Sequence, residues 1–174
     1  MEIHRFEKLW FGASLLLIVV LIATIVYGAV GPGVAMVDDS GGIVDPSALT
    51  DSENFREPGV YEADDGGYDV YVRAQQFAFQ PGTNSPIRVP ADTDVTFYVS
   101  SPDVTHGFNL AGTNVNTMVI PGQVAEVTVN FDEPGTYHIV CNEYCGAAHH
   151  TMRGTVEVVP RDQFDMESQE VTDQ

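Results

Sequence analysis

The sequence predicts a mainly β protein, a Greek-key sandwich or small barrel of short strands, preceded by one N-terminal transmembrane helix. Three observations carry this expectation. Residues 10–30 hold no charge and are rich in Leu, Ile and Val. From Tyr68 onward the pattern changes to period-two alternation, punctuated by Pro-Gly, Gly-Thr and Ala-Asp pairs at intervals suited to short turns. No stretch of helical period and useful length intervenes in the following ~95 residues.

Taken in order, residues 1–9 form a short N-terminus in which Glu2 and Glu7 balance Arg5 and Lys8. Residues 10–30, Trp10 through Val30, would span roughly 31 Å as a helix, enough to cross a hydrocarbon core. Trp10, Phe11 and Tyr27 stand near its ends, where interfacial aromatics belong. The run is longer than the apolar region of a cleaved signal peptide, so a retained helix is expected. Arg5 and Lys8 precede it and no basic residue follows until Arg56, which puts the N-terminus in the cytoplasm and the rest outside.

Residues 31–66 are Gly-, Pro- and Asp-rich and read as a linker, with a short helical turn starting near Asp45-Pro46. Residues 67–160 are the β domain. Its expected strands are Asp69–Ala74, Ile87–Val89, Asp94–Ser100, Asn116–Ile120, Ala125–Phe131, Thr136–Cys141 and Gly154–Val159. In the fifth, Ala125, Val127, Val129 and Phe131 share one face and Glu126, Thr128 and Asn130 the other. Residues 161–174 form a polar, acidic tail that is expected to fray.

The formal net charge is −18, and the residues beyond 30 carry all of it, with five arginines and no lysine as their only basic side chains. Such a field repels nucleic acid and anionic lipid, which excludes a nucleic-acid role. Charge this dense strains a small fold in fresh water; where salt shortens the screening length to a few ångströms the self-repulsion is tolerable. The composition therefore reads as adaptation to high salt, with an ordinary solvated acidic face in dilute salt as the alternative.

Chemistry concentrates in Cys141-Asn142-Glu143-Tyr144-Cys145-Gly146-Ala147-Ala148-His149-His150-Thr151-Met152, which contains both cysteines of the chain. Two thiols, an imidazole and a thioether fall at spacings of four, four and three, and His106 lies 35 residues upstream at the start of an expected turn. This mixture of soft and borderline ligands suits copper better than magnesium, calcium or manganese. A disulfide is the plain alternative for two exported cysteines, but it needs neither His149 nor Met152 in register. Zinc in a Cys2His2 set leaves Met152 unused. A mononuclear blue-copper centre takes one thiolate, and here there are two. Two thiolates bridging two copper ions need four further ligands; His106, His149 and Met152 supply three, and a backbone carbonyl between the cysteines can supply the fourth. His138, His150 and His4 read as structural or exposed.

At these residues a family resemblance enters. The run CNEYCGAAHHTM resembles the Cu(A) loop of cytochrome c oxidase subunit II, Cys-x-Glu-x-Cys-Gly-x-x-His-x-x-Met. The segments DVTHGFNLAGTNVN and EPGTYHIVCNEYCG, with the PGQ turn between them, resemble most closely the B-type (ba-type) haem–copper oxidases. The likeness covers nearly the whole chain and implies a cupredoxin-like domain on one anchoring helix.

It implies further that Cys141 and Cys145 bridge both metals of a binuclear copper Cu(A) centre. His106 and Met152 would complete one copper; His149 and the main-chain carbonyl of Glu143 would complete the other. In A-type members the carboxylate at Glu143 also approaches a non-redox magnesium. Phe77 and Phe79 stand where A-type enzymes have a tryptophan-rich run near the electron-input surface, with core packing as the alternative. Glu7 corresponds to a glutamate that opens a proton pathway into subunit I, with an ordinary interfacial carboxylate as the alternative.

The implied partners are a polytopic, haem-bearing subunit I, a soluble donor such as cytochrome c or a blue-copper protein, and membrane lipid around the helix. Haem belongs to subunit I, where oxygen is reduced. Two other readings compete: a freestanding membrane-tethered copper electron carrier or copper-delivery protein, and an exported disulfide or zinc domain that binds a partner.

Overall fold

The computed structural model describes residues 4–30 and 40–166, which fall into two units, one containing the N-terminal helix and one containing all of the strands. Helix α1 runs from Arg5 to Val30. It is long and apolar enough to cross a membrane, and from Arg5 to Tyr27 its side chains are exposed. Glu7 closes its first turn: the carboxylate accepts the backbone N–H of His4 at 2.9 Å, satisfying one of the donors that a helix start leaves over.

Among its described residues the second unit contains ten strands: β1 Gly59–Glu62, β2 Tyr68–Gln75, β3 Ala78–Gln80, β4 Ile87–Pro90, β5 Asp94–Ser100, β6 His106–Leu110, β7 Asn116–Val119, β8 Ala125–Asn130, β9 Gly135–Val140 and β10 Arg153–Val159. They make two five-stranded sheets. One is ordered β1-β2-β5-β8, with β3 on β2; the other is ordered β4-β10-β9-β6-β7. Pairing is antiparallel except for β2 with β5 and β4 with β10. The seven expected strands appear as β2, β4, β5, β7, β8, β9 and β10, each within one residue of its expected ends.

Alternation explains the core. In β5, Val95, Phe97 and Val99 point inward and are fully buried; Phe97 meets Phe108 of β6 with ring centroids 5.4 Å apart. Val70 and Val72 of β2, Ile139 of β9 and Val156 of β10 fill the same layer. In β8, Val127 and Val129 are half-buried, as an edge strand allows.

Three strands were not expected. β1 lies in a Gly- and Pro-dense stretch, β3 is three residues long, and β6 carries Gly107 and Asn109, which favour strands poorly. Their formation follows from pairing with neighbours, not from local preference. His106 consequently opens a strand, and is not at the start of a turn.

The segment 31–66 also differs from a plain linker where it is described. Ile43 bridges to Gln123, and Asp45 accepts the Ser47 N–H at 2.9 Å, opening a turn into a short 3-10 helix at Leu49–Asp51. Val44, Leu49 and Phe55 are buried with Tyr71 and Val124 in a second cluster on the outer face of the β2–β5 sheet. The apolar residues Val44, Leu49 and Phe55 are too widely spaced to show strand or helix period, so the sequence hides this strap. Phe55 is 1% exposed and edge-on to Tyr71. Phe55→Ala is therefore expected to lower stability by about 3 kcal/mol, measured by urea unfolding of the detergent-solubilised chain; a free linker would lose nothing.

Of the acidic tail, residues 161–163 form a 3-10 turn and Phe164 packs edge-on against Tyr68 with centroids 4.9 Å apart. Residues 167–174, and Met36 in the linker, lie outside the described residues.

Candidate metal centre

Strand parity delivers the first thiol. Ile139 of β9 is buried while His138 and Val140 are exposed, so Cys141, two residues after Ile139, again points inward. The chain then loops out and returns. Gly146 adopts φ +133°, a conformation side chains rarely take, and a 3-10 turn at His149–Thr151 brings Met152 back beside the cysteines. Cys141 N–H donates to Met152 O at 3.3 Å, which closes the loop on itself at the start of β10.

From the other direction, parity in β6 puts His106, Phe108 and Leu110 on the core face, and His106 is fully buried. Gly107 is required where β6 passes the ligand loop: a Cβ there would collide with the Asn142 side chain.

The donor atoms converge. The two sulfurs are 3.8 Å apart. His106 Nδ1 lies 3.9 Å from Cys141 Sγ, His149 Nδ1 lies 3.5 Å from Cys145 Sγ, and Met152 Sδ lies 3.6 Å from Cys145 Sγ. The carbonyl oxygen of Glu143 turns inward to 3.2 Å from Cys141 Sγ. Cys141, Cys145 and Met152 are buried and His149 is half-buried. Both cysteines are free thiols. Ligand atoms of His106, Cys141 and Cys145 all lie within 4.8 Å of one another, a group that can hold a metal ion.

Asp103 orients His106. Its Oδ1 is 2.9 Å from His106 Nε2, which leaves Nδ1 facing the sulfurs. The carboxylate also accepts the N–H groups of Gln76 at 2.8 Å and Val104 at 2.6 Å. Burial raises the Asp103 pKa, and these hydrogen bonds outweigh it and hold the carboxyl below its usual range.

The thiols are unequal. Burial pushes the Cys141 pKa up, but hydrogen bonds from His106, the Gly107 N–H and Cys145 outweigh it and bring Cys141 to about 7. Burial and the neighbouring Cys141 sulfur both raise Cys145, to about 11. Thiolate is the reactive form. In the metal-free chain, iodoacetamide should label Cys141 increasingly as pH rises through 7, while Cys145 stays slow until well above pH 9. Mass spectrometry of the modified peptides checks this; equal rates at pH 8 would contradict it.

Of the other expected positions, Phe77 is half-buried against Gly146, whose added Cβ would stand 3.1 Å from the Phe77 ring. Phe79 is 1% exposed and edge-on to Phe108, so it is a core residue and offers no surface for electron input. Glu7, on the helix unit, caps α1. His138 and His150 are exposed. The sequence reading missed Asp103 and Gln76; a carboxylate three residues before a ligand histidine was a readable signal for the first.

Residues 71–159 match the family described as cytochrome c oxidase subunit II, periplasmic domain. Cytochrome c oxidase subunit 2 of Thermus thermophilus is 40% identical over 160 residues, 90% of this chain and 93% of its own. A chain in the cryo-EM structure of a haem–copper terminal oxidase dimer superposes with a TM-score of 0.68 at 34% identity, covering 89% of this chain and all of that one. The periplasmic domain of cytochrome oxidase subunit II from Bradyrhizobium japonicum shares the fold, with a TM-score of 0.51 at 21% identity over 55% of this chain and 86% of its own. The chain belongs to the cytochrome c oxidase subunit II family.

Proposed function

We propose that this chain is the electron-input subunit of a haem–copper terminal oxidase and that its cysteine loop holds a binuclear copper Cu(A) centre. The observation that carries the reading is the convergence of four further donor atoms on two free sulfurs 3.8 Å apart, six donors in all. Cys141 and Cys145 would hold the metal jointly, since their 3.8 Å separation is less than twice a metal–thiolate bond of about 2.3 Å. One tetrahedral ion would use four of the six donors and leave two buried polar or soft atoms idle. The donor set is soft and borderline, as copper requires.

Bound there, the copper pair would supply a one-electron store. The chain's own residues do the rest: the end of β9 fixes the Cys141 sulfur, Asp103 fixes the His106 ring, and the burial of Cys141, Cys145 and Met152 excludes water. In this proposal a soluble cytochrome c or blue-copper protein delivers single electrons on the outer face, and haem in subunit I receives them for oxygen reduction. Val140, 40% exposed, and Tyr144, 80% exposed, offer an uncharged contact beside the loop, with Phe77 close by. The N-terminus would face the cytoplasm, where Glu7 is the position proposed for proton uptake into subunit I. The resemblance to B-type enzymes and the −18 charge support membership of that subgroup and a high-salt setting.

Affinity purification of the tagged full chain from its native membrane tests the assignment. The expected result is co-purification of a haem-bearing polytopic subunit, with oxygen uptake when a reduced donor is added. A chain that carries copper but brings no haem would favour the tethered carrier instead.

A further inference from the structure

One residue reaches both halves of the ligand set without being a ligand. Gln76 follows β2, and its backbone N–H donates to Asp103 Oδ2 at 2.8 Å, while Asp103 Oδ1 holds His106 Nε2 at 2.9 Å. Its side-chain Nε2 donates to the backbone carbonyl of Cys145, 69 residues away in sequence. That carbonyl belongs to the peptide that leads into Gly146, where φ is +133°. A Cβ on Gly146 would stand 2.7 Å from Gln76 Nε2, so the glycine and the amide lie directly against each other.

We propose that Gln76 is a positioning residue for the metal-binding loop, latching the Cys145–Gly146 peptide to the β2–β3 turn and so holding Cys145 in register with Cys141 and His149. The inference rests on the copper reading for what the loop holds, but the latch itself is a property of the metal-free chain. Its physical basis is the freedom the loop would otherwise have. Among the described residues, backbone–backbone hydrogen bonds between Cys141 and β10 tie the loop to itself, at Gly146–His149, Ala148–Thr151, His149–Met152 and Met152–Cys141, and the Asn142 amide ties its first turn to Asn116 of β7 at 2.9 Å. The Gln76 amide adds a tie from the opposite sheet. Fixing the Cys145 carbonyl fixes the plane of the peptide after the thiol, and with it the direction in which the chain leaves for His149. Outer groups of this kind change metal affinity by roughly 10- to 100-fold.

Gln76 is exposed, so substitutions there leave the core intact. Gln76→Leu removes the donor at similar size, Gln76→Glu replaces it with an acceptor, and Gln76→Lys retains a donor. All are made in the full-length chain within its membrane complex. In the metal-free chain, iodoacetamide should label Cys145 about tenfold faster in the first two variants, with Cys141 changed less than about twofold. After copper loading, loss of metal to a chelator should quicken about tenfold and the copper EPR splitting should change. Gln76→Lys should stay close to the unaltered protein in each readout, and the thermal unfolding transition should stay in place.

Unaltered Cys145 labelling, chelator resistance and EPR in both Gln76→Leu and Gln76→Glu would overturn the proposal. So would equal changes at Cys141 and Cys145, which mean general loosening. Failure of the unaltered protein to take up copper would sink the copper reading and leave the labelling test of Gln76 standing.

Discussion

Cys145→Ser is expected to reduce the copper bound from two ions per chain to one at most, and to slow electron input by more than about 100-fold. Serine has nearly the same shape, so the loop should still close through the Cys141 and Met152 backbone contact. What is lost is a soft, ionisable bridge: a hydroxyl stays protonated at neutral pH and binds copper weakly. Changes in groups that merely support metal ligands cost 10- to 100-fold, so removal of a bridging ligand should cost more. Copper analysis with stopped-flow reduction by a cytochrome c or blue-copper donor measures it. Two coppers and unaltered kinetics in Cys145→Ser would mean that Cys145 does not bridge.

Asp103→Ala is the second large effect, through a residue that touches no metal in this account. The carboxylate accepts from Gln76 and Val104 backbone N–H groups and lies 2.9 Å from His106 Nε2. Its removal leaves a fully buried imidazole with an unpaired ring nitrogen, a cost of about 1–3 kcal/mol. The ring is then free to carry its proton on Nδ1, the atom that faces Cys141. Copper affinity should fall 10- to 100-fold, read by competition with a chelator. Asp103→Asn keeps an acceptor oxygen and should lose less. Equal affinity in Asp103→Ala and the unaltered protein would remove Asp103 from the account.

The sequence made some of this legible and hid the rest for physical reasons. The cysteine loop was readable because its ligand spacing is local: parity carries Cys141 inward, and a turn after His149 returns Met152. His106 was readable as a ligand type, but its strand was not, because Gly107 and Asn109 lack strand preference and β6 exists through pairing with β7 and β9.

Phe77 and Phe79 illustrate a signal left unused. They stand two apart, so in an extended strand they would share a face; β3 begins only at Ala78, and Phe77, in the turn before it, stays half-buried at the margin of the core while Phe79 enters it. The strap through Leu49 and Phe55 was hidden by its irregular spacing. Gln76 could not be found at all from local pattern, since its side-chain partner is the backbone of Cys145, in the loop that joins β9 and β10 of the other sheet.

Whether two coppers share these ligands is decided by their number and by how they share an unpaired electron. Copper is counted in the unaltered full chain, and the EPR spectrum of the same sample is recorded in the partly oxidised state. Two coppers per chain and a seven-line hyperfine pattern are expected, because one unpaired electron is shared equally by two nuclei of spin 3/2. One copper per chain with a four-line pattern would contradict the sharing.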